Sequence, residues 1–374
     1  MSEIKVNKVS PRSGTYVSLN TVGMKNIIIN GDMSIAQRGT SVTGITGSGY
    51  YTVDRFQIGS AGSSGGTFTM SQDTDVPTGQ GFATSLKMDC TTADASLGSS
   101  DALRISQYIE GQNLQYLKKG TANAESTTLS FWVKSNKTGT YISELRDMDN
   151  ARAISKSYTI DVADTWEKKT LTFAGDTSGA FDNDNSTSLR LANWLYAGTD
   201  YTSGTLQTSW GTLTATDRAV GQVNLADSTA NDFYITGVQL EAGTTASDFE
   251  FLPVDVNLAR CLRYCFVLGN TPTNGAINKY ANVGTYYTAT EFFPSVYYPV
   301  VMRATPSFTV VGATPAQAFT IYSANTGRTS TAVGADSISA TNIGYVITTA
   351  SATQGDGGVG AWNVGYYGII EAEL

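Results

Sequence analysis

Runs of alternating apolar and polar residues recur through most of the chain. In residues 127–134 the side chains of Leu129, Phe131 and Val133 occupy every second position, and Trp132 stands between two of them. A period of two residues is typical of a β-strand, because successive side chains point to opposite faces of a sheet. The pattern therefore predicts a strand whose three alternate apolar residues face a core, with Trp132 on the opposite face.

Other runs of the same kind follow one another between clusters of glycine, serine, asparagine and aspartate. The clearest are residues 166–173, 188–195 and 233–240. Short strands at this spacing, separated by turn residues, are typical of a β-sandwich or a β-barrel. We therefore expect residues 25–252 to form an all-β domain of this kind.

One segment breaks the alternation and has a helical period instead. It begins after Pro253, with Asp255 as the expected N-cap, and ends at Gly269. Its apolar residues form one stripe at the spacing of an amphipathic helix: Leu258, Cys261, Leu262, Cys265 and Phe266. We predict a linking helix over residues 253–269. Both cysteines are expected to be core or interface residues rather than metal or redox groups, because free cysteine is among the most buried residue types.

The two ends of the chain have different patterns. After the helix the pattern is again strand-like, with runs at residues 307–311, 319–322, 345–348 and 362–370, so residues 270–374 are predicted to form a second β-domain. Residues 1–24 mix isolated apolar residues with lysine, proline and glycine and show no sustained period. We expect them to be an arm that a neighbouring subunit, another protein or the protein's own body holds in place.

The composition narrows the range of partners. Charged residues make up 15% of the chain, against about 25% in an average protein, whereas glycine (38) and tyrosine (20) are abundant. A surface of small polar side chains and tyrosine suits extended sheets and large interfaces. The net charge of −8 and the isolated lysine pairs argue against nucleic acid as a partner. No stretch approaches 18 apolar residues, so membrane insertion is not expected.

The chain contains no histidine. This excludes Ser-His-Asp and Cys-His nucleophilic sites and histidine-ligated zinc, and any catalysis would have to use carboxylates alone. Residues 182–185 (DNDN) carry oxygen ligands suited to calcium but lack the glycine and glutamate of an EF-hand loop, so we interpret them as a solvated turn. Three cysteines, an odd number, argue against a disulfide framework and for folding in a reducing cytoplasm. We expect neither a metal nor a cofactor.

Several segments of the chain carry distinctive motifs. The first pair comprises residues 26–39 (NIIINGDMSIAQRG) and 51–56 (YTVDRF). The second group comprises residues 233–243 (FYITGVQLEAG), which lead into Phe249 and Glu250, and residues 258–264 (LARCLRY). A third match comprises residues 302–306 (MRATP) and the closing AEL. Together these segments resemble bacteriophage tail-fibre proteins. The chain departs from the family pattern at Ser247 and Asp248, where Thr-Pro is frequent, and at Cys265, where a second aromatic residue is frequent.

The resemblance implies both an architecture and a setting. The architecture is a jelly-roll β-sandwich similar to carbohydrate-binding modules, followed by the amphipathic helix and the C-terminal β-domain. The setting is the virion tail, with assembly in the host cytoplasm. There the protein is commonly a homotrimer that docks to other tail proteins by residues 1–24 and attaches to the host surface, for which a glycan is the expected receptor. A purely structural tail component without host contact is the alternative.

A polysaccharide depolymerase is the remaining, enzymatic alternative. A glycosidase needs two carboxylates about 5 to 9 Å apart. The acidic residues here are mostly scattered through turns, and Glu241 and Glu250 belong to the family's structural segments. The short periodic repeats of a long β-helix are also missing from the sequence. We therefore expect a protein that is not an enzyme.

Aromatic residues are the best candidates for contact with a glycan or a neighbouring subunit, since tryptophan and tyrosine dominate both kinds of surface. Local packing is the alternative role for them. The strand patterns place Trp132 and Trp194 opposite the expected core, with Arg190 on the same face as Trp194. A connection rich in glycine and threonine follows Trp194 and carries further rings. The full set of candidates is Trp132, Arg190, Trp194, Tyr196, Tyr201 and Trp210.

Overall fold

The computed structural model describes residues 24–62, 65–271, 275–277 and 282–374. The predicted arm lies outside the described residues except for Met24. The described chain consists almost entirely of antiparallel β-strands, with two α-helices, α1 (Thr199–Thr202) and α2 (Val254–Leu262). The strands of the first unit are β1 (Ser41–Ile45), β2 (Gly49–Tyr50), β3 (Gln57–Ala61), β4 (Thr67–Asp73), β5 (Ser85–Thr92), β6 (Ala102–Glu110), β7 (Thr127–Ser135), β8 (Gly139–Asp147), β9 (Arg152–Ile160), β10 (Glu167–Phe173), β11 (Thr187–Ala197), β12 (Gly211–Thr212) and β13 (Asp232–Ala242). The strands of the second unit are β14 (Cys265–Thr271), β15 (Gly275–Ile277), β16 (Asn282–Tyr286), β17 (Glu291–Tyr297), β18 (Ser307–Val311), β19 (Phe319–Ser323), β20 (Thr326–Ile338), β21 (Asn342–Thr349), β22 (Gly357–Trp362) and β23 (Tyr367–Glu371).

The first unit is a jelly-roll sandwich of two sheets. One sheet, the front sheet, has the strand order β1-β4-β5-β13-β7-β10, and the other, the back sheet, has the order β12-β9-β8-β11-β6-β3-β2. From β6 to β13 the chain repeatedly crosses between the sheets, because β6, β8, β9 and β11 lie in the back sheet while β7, β10 and β13 lie in the front sheet. This confirms the predicted all-β fold class.

The core of the sandwich consists of the inward residues of both sheets. Leu129, Phe131 and Val133 of β7 are fully buried, and they share one hydrophobic cluster with Leu189 and Leu191 of β11. Complete burial of one such side chain stabilises the fold by about 1.5–3 kcal/mol. The alternation in the sequence therefore predicted the inward face of these two strands correctly.

The second unit combines a closed six-stranded barrel with a small sheet. The barrel order is β16-β17-β21-β20-β19-β22, and the small sheet has the order β15-β14-β23-β18. Trp362 is fully buried between them, with its ring centroid 4.1 Å from that of Phe319. The sequence predicted a single strand over residues 362–370, and this was wrong. A turn with Gly365 at a φ of 79° ends one strand at Trp362 and begins the next at Tyr367.

Helix α2 is shorter than predicted. It ends at Leu262 rather than Gly269, and Cys265 already lies in β14, paired with Glu371 of β23. The pairing with β23 gives the backbone of this segment hydrogen-bond partners that outweigh its helical periodicity. Pro253 occupies the N-cap position, and the predicted cap Asp255 lies within the first turn. Both cysteines of the stripe are free and buried, in agreement with a packing role.

Charged and aromatic residues connect the sandwich to the second unit. We call this region the joint. The guanidinium of Arg55 lies 3.5 Å from the centroid of the Tyr264 ring and pairs with Glu373. Arg38 pairs with Glu371 at 2.8 Å and with Glu373 at 3.1 Å. All five residues lie in or beside residues 26–39, 51–56, 258–264 and the closing AEL, so these segments hold the two units together.

Candidate functional site

The structure separates the six sequence-predicted site residues into two groups. Trp132, Tyr201 and Trp210 remain partly exposed. Arg190, Trp194 and Tyr196 are 2%, 0% and 2% exposed. At this burial the rings of Trp194 and Tyr196 are packed inside the protein, which was the alternative interpretation of these residues, and they are not open to a glycan.

The connection after β11 explains the burial of Trp194. This connection, residues 198–222, contributes β12 to the edge of the back sheet and otherwise folds back over part of the outer face of that sheet. The Tyr201 ring lies 5.4 Å from that of Trp194, and the backbone N–H of Ala219 donates to the carbonyl of Tyr201 at 2.9 Å. Tyr196 is buried for a different reason, because an irregularity in the pairing of β11 with β6 turns its ring toward the sandwich core, against Phe68.

Trp132 lies instead in an open cleft on the outer face of the front sheet. This front cleft has a volume of about 270 Å³. Three phenylalanine side chains form its aromatic part beside Trp132, and the remaining lining is mainly polar. The phenylalanines are Phe82, Phe249 and Phe251, and the charged or amide side chains of the lining are Gln80, Lys168 and Asp248.

A break in the regularity of β13 creates the room for this cleft. The pairing of β13 with β7 shifts register between Thr236 and Gln239, and Gly237 between them has a φ of +61°. A Cβ atom at Gly237 would lie 2.6 Å from the ring of Phe82, so only glycine allows that ring to pack against the strand. Phe82 in turn lies 5.1 Å, centroid to centroid, from both Phe249 and Phe251. Phe251 is 50% exposed and forms an apolar wall of the cleft.

The aromatic surface continues along the same face of the front sheet. The ring of Trp166 lies 6.1 Å from that of Tyr234, and Lys134 Nζ lies 4.1 Å from the Tyr234 centroid. Asp75 accepts a hydrogen bond from Trp166 Nε1 at 2.9 Å and pairs with Lys134. Burial raises the pKa of Asp75, but its hydrogen bonds from Lys134 and Trp166 outweigh that effect and lower the pKa below its usual value. The face therefore has rings fixed by hydrogen bonds and paired charges.

The carboxylates considered for catalysis have structural partners. Glu241 is buried and accepts two hydrogen bonds from Ser247, one from the backbone N–H and one from the hydroxyl, both at 2.8 Å. Glu250 accepts from the backbone N–H of Asn26 at 2.8 Å. Each carboxylate thus fixes a segment of the chain beside the end of β13.

The remaining sequence-level alternatives concern metals and membranes. Across the described residues, no group of three or more cysteine, aspartate or glutamate side chains converges as a metal site would require. Asp184 accepts from the backbone N–H of Ser186 at 2.8 Å, which is the bond of a polar turn. No helix in the described part of the chain is long and apolar enough to cross a membrane.

A second concavity, which we call the joint groove, lies at the joint between the end of β6 and helix α2. It has a volume of about 650 Å³ and is larger than the front cleft. Tyr264 in its wall is 1% exposed, whereas Tyr116 is 45% exposed. Arg263 in the same wall is paired with Glu110 at 2.7 Å. The joint groove thus offers one well-exposed ring, whereas the front cleft brings an indole and three phenyl rings together.

The sequence identified Trp132 but not the three phenylalanines of the cleft. Phe82 lies in a loop, and its ring meets the other two only because β13 brings residues 249 and 251 to the same edge. A local signal was present in residues 249–251 (FEF), where two rings alternate with a charged residue just after a strand. That pattern indicates a segment with one aromatic face.

Comparison with known proteins yields likenesses to solved structures only. No model of a protein family matches the chain, and no curated protein matches it. The enzymatically active domain of tailspike protein 4 from bacteriophage CBA120 is similar over 58% of this chain and 21% of its own, with 15% identity and a TM-score of 0.32. The family 11 carbohydrate-binding module of the cellulase Lic26A-Cel5E of Clostridium thermocellum is similar over 54% of this chain and 98% of its own, with 12% identity and a TM-score of 0.27. The N-terminal cellulose-binding domain of Cellulomonas fimi β-1,4-glucanase C is similar over 47% of this chain and 85% of its own, with 12% identity and a TM-score of 0.25.

Proposed function

We propose that the protein binds a glycan through the front cleft. The observation that carries this proposal is the position of Trp132, partly exposed in a cleft beside Phe82, Phe249 and Phe251. A sugar ring has an apolar face that stacks on aromatic side chains and a periphery of hydroxyl groups that need hydrogen bonds. The front cleft supplies both, because Gln80, Lys168 and Asp248 lie in the same lining as the rings.

The polar groups of the cleft favour a neutral sugar. Lys168 and Asp248 contribute opposite charges, so the cleft has no excess of one sign. Lys168 is well exposed and pairs across the sheet with Trp132, so both residues lie in the lining of the cleft. A hydroxyl group can accept a hydrogen bond from the ammonium and donate one to the carboxylate.

We further propose that this glycan lies on a bacterial surface and that the protein is part of a bacteriophage tail fibre. The support is the resemblance of residues 26–39, 233–243 and 258–264 to tail-fibre proteins. A single shallow cleft binds weakly, but several copies on one particle raise the avidity without any new contact. A homotrimer docked by residues 1–24 would supply those copies.

Substitution of Trp132 tests the glycan site. The full-length protein is applied to an array of neutral oligosaccharides and host polysaccharides, and the affinity for the strongest binder is then measured by titration. Trp132→Ala should weaken that affinity at least tenfold, because central aromatic residues carry about 2 kcal/mol or more of binding energy. Trp132→Phe should retain part of the affinity, since a ring remains to stack.

Trp210→Phe is the matched control. Trp210 is also partly exposed, but it lies away from the front cleft and donates to the carbonyl of Ala174 at 2.8 Å. The control should bind like the unsubstituted protein. Equal binding by Trp132→Ala and the unsubstituted protein would refute the cleft as the site.

The tail-fibre setting and the absence of catalysis have separate tests. Purified protein should coat host cells and compete with phage adsorption, and Trp132→Ala should lose this competition. Failure of the unsubstituted protein to do either would favour the purely structural role. Incubation with host polysaccharide should release no reducing sugar, and its release would show instead that the protein is a depolymerase.

A further inference from the structure

A ring of charged and aromatic side chains surrounds Ala192 on the outer face of the back sheet. In the strand pairing, Ala192 lies between Ser106 of β6 and Glu144 of β8. One step along the same face, Arg190 lies between Tyr108 and Arg146. In the other direction, Trp194 lies opposite Arg104. Ala192 and Ser106, at the centre of this ring, have small side chains and are buried beneath the larger ones around them.

The charges of this ring do not balance. Arg218, from the connection over the back sheet, approaches the same place, with its guanidinium 4.9 Å from the Trp194 ring. Glu144 pairs with Arg190 and, at 2.7 Å, with Arg218. Arg104 and Arg146 have no ion-pair partner in the part of the chain that the structure describes. Four guanidinium groups thus surround one carboxylate, a local excess of three positive charges in a chain whose net charge is −8.

This face also has more hydrogen-bond donors than acceptors. Five buried groups that can donate a hydrogen bond lack an acceptor among residues 24–62, 65–271, 275–277 and 282–374: the Nε groups of Arg104, Arg146 and Arg190, the hydroxyl of Ser106 and the indole N–H of Trp194. Buried polar groups are nearly always paired, and an unpaired buried charge is costly. Burial, followed by the charges of Arg190 and Arg218, lowers the pKa of both Arg104 and Arg146, so the two cations are held in an unfavourable environment.

We propose that this ring binds an oxyanion, the carboxylate or sulfate group of a ligand, above Ala192 and between Arg104 and Arg146. An oxyanion supplies both negative charge and hydrogen-bond acceptors, and the planar fork of arginine matches its geometry. Access is open from one side, because Arg104, Arg146 and Tyr108 are partly exposed while the connection covers Trp194. The group could belong to a free inorganic anion or to an acidic polysaccharide, and the two sources share this chemistry. The proposal does not depend on the front cleft.

Calorimetric titration of the full-length protein tests the site and separates the sources. The probes are sodium sulfate, sodium glucuronate and trigalacturonate, each against sodium chloride at equal ionic strength. We expect saturable binding of at least one probe. Tighter binding of trigalacturonate than of sulfate supports the site with an acidic polysaccharide as its ligand, and the reverse supports the site with a free anion. Absence of saturable binding of all three would overturn the proposal.

Single substitutions locate the binding. Arg104→Gln and Arg146→Gln should each weaken it by roughly tenfold to a hundredfold, since a hydrogen bond to a charged group contributes about 1.5–3 kcal/mol. Lys118→Gln removes the same charge from an exposed lysine, 52% accessible, and should leave the affinity unchanged within about twofold. If all three variants bind alike, the anion lies elsewhere and the proposal fails.

Stability in the absence of the anion provides a second readout. Removal of a cation that has no carboxylate partner should not lower the melting temperature, and in Arg104→Gln the weaker repulsion from Arg190 and Arg218 should raise it, although the guanidinium of Arg104 also lies 5.4 Å from the centroid of the Trp194 ring. Sulfate stabilises many proteins through exclusion from their surface. The informative quantity is therefore a difference: the rise in melting temperature that sulfate causes in the unsubstituted protein, minus the rise that it causes in Arg104→Gln. An equal shift in both proteins would contradict the site, and Trp132→Ala should keep the full shift.

Discussion

The two outer faces of the sandwich follow the same alternating pattern but differ in chemistry. On the front face, Trp132 lies in an open cleft, and the nearby carboxylate of Asp75 is 45% exposed. On the back face, Trp194 is fully buried, and the carboxylate of Glu144 is completely enclosed by arginines. Strand alternation therefore specifies which residues point away from the core but not whether solvent reaches them.

The covering connection determines the difference. Residues 198–222 lie over the back sheet and place Arg218 beside Glu144. On the front sheet the corresponding loops stay at the edge, where Phe249 and Phe251 line the cleft. The back face therefore consists of buried charges that need an opposite charge, whereas the front face consists of aromatic rings that water can reach. Substitution of the carboxylate on each face, Glu144 and Asp75, can separate these two cases.

The largest expected effect is that of Glu144→Gln. The substitution removes the only carboxylate among the charged side chains described around Ala192 and leaves Arg190 and Arg218 buried without an opposite charge. Loss of one partner of a buried ion pair costs about 3–5 kcal/mol. We expect the free energy of unfolding, measured by denaturant titration, to fall by that amount.

Glu125→Gln is the control for this measurement. Glu125 pairs with Lys118 at 2.8 Å, but both side chains are well exposed, at 43% and 52%. Exposed pairs contribute about 0–1 kcal/mol. Equal losses in the two variants would show that the back face does not depend on its buried carboxylate.

The second prediction concerns acid stability. Burial alone would raise the pKa of Glu144, but the charges of Arg190 and Arg218 outweigh burial and lower the pKa from 4.5 to about 2. Because the folded-state pKa lies below the unfolded one, this carboxylate stabilises the fold above about pH 4.5, and the contribution is lost as the pH falls toward 2. The expected loss is about 3 kcal/mol.

Comparison of two titrations isolates this contribution. The free energy of unfolding is measured from pH 6 to pH 2 for the unsubstituted protein and for Glu144→Gln. Other carboxylates also titrate in this range, but they are common to both proteins. The two curves should converge as the pH falls, and parallel curves would contradict the assignment to Glu144.

Sequence reasoning succeeded where a residue's environment depends on its own strand. The alternation in β7 predicted both the buried Phe131 and the outward Trp132. The same reasoning treated Trp194 and Trp132 alike, because the connection that covers Trp194 has no periodicity from which its position could be predicted. The helix prediction failed at Cys265 for a related reason, since the partner strand β23 is about 100 residues further along the chain.

The two ligand sites were less predictable than the fold. Phe82 and Phe251 meet only through the irregularity of β13 at Gly237. The arginines at positions 104, 146, 190 and 218 come from three strands and one connection, and only the register of β6, β8 and β11 brings them together. Such register is a long-range property, and a single sequence contains no local signal for it.

The smallest expected effect is that of Asp75→Asn on the front face. Asp75 holds Lys134 and the indole N–H of Trp166, as Glu144 holds its two arginines, but its side chain is 45% exposed. Water can replace the lost charge, and the amide oxygen of asparagine can still accept from Trp166. We therefore expect the free energy of unfolding to fall by less than about 1 kcal/mol in the same denaturant titration. A loss of about 3 kcal/mol or more would mean that the front face also depends on a buried charge, and the contrast between the two faces would no longer hold. A small loss of unfolding free energy would mean that the two faces differ in the exposure of their carboxylates. An exposed carboxylate suits a face that binds a neutral sugar, whereas an enclosed one belongs to a face that requires an anion.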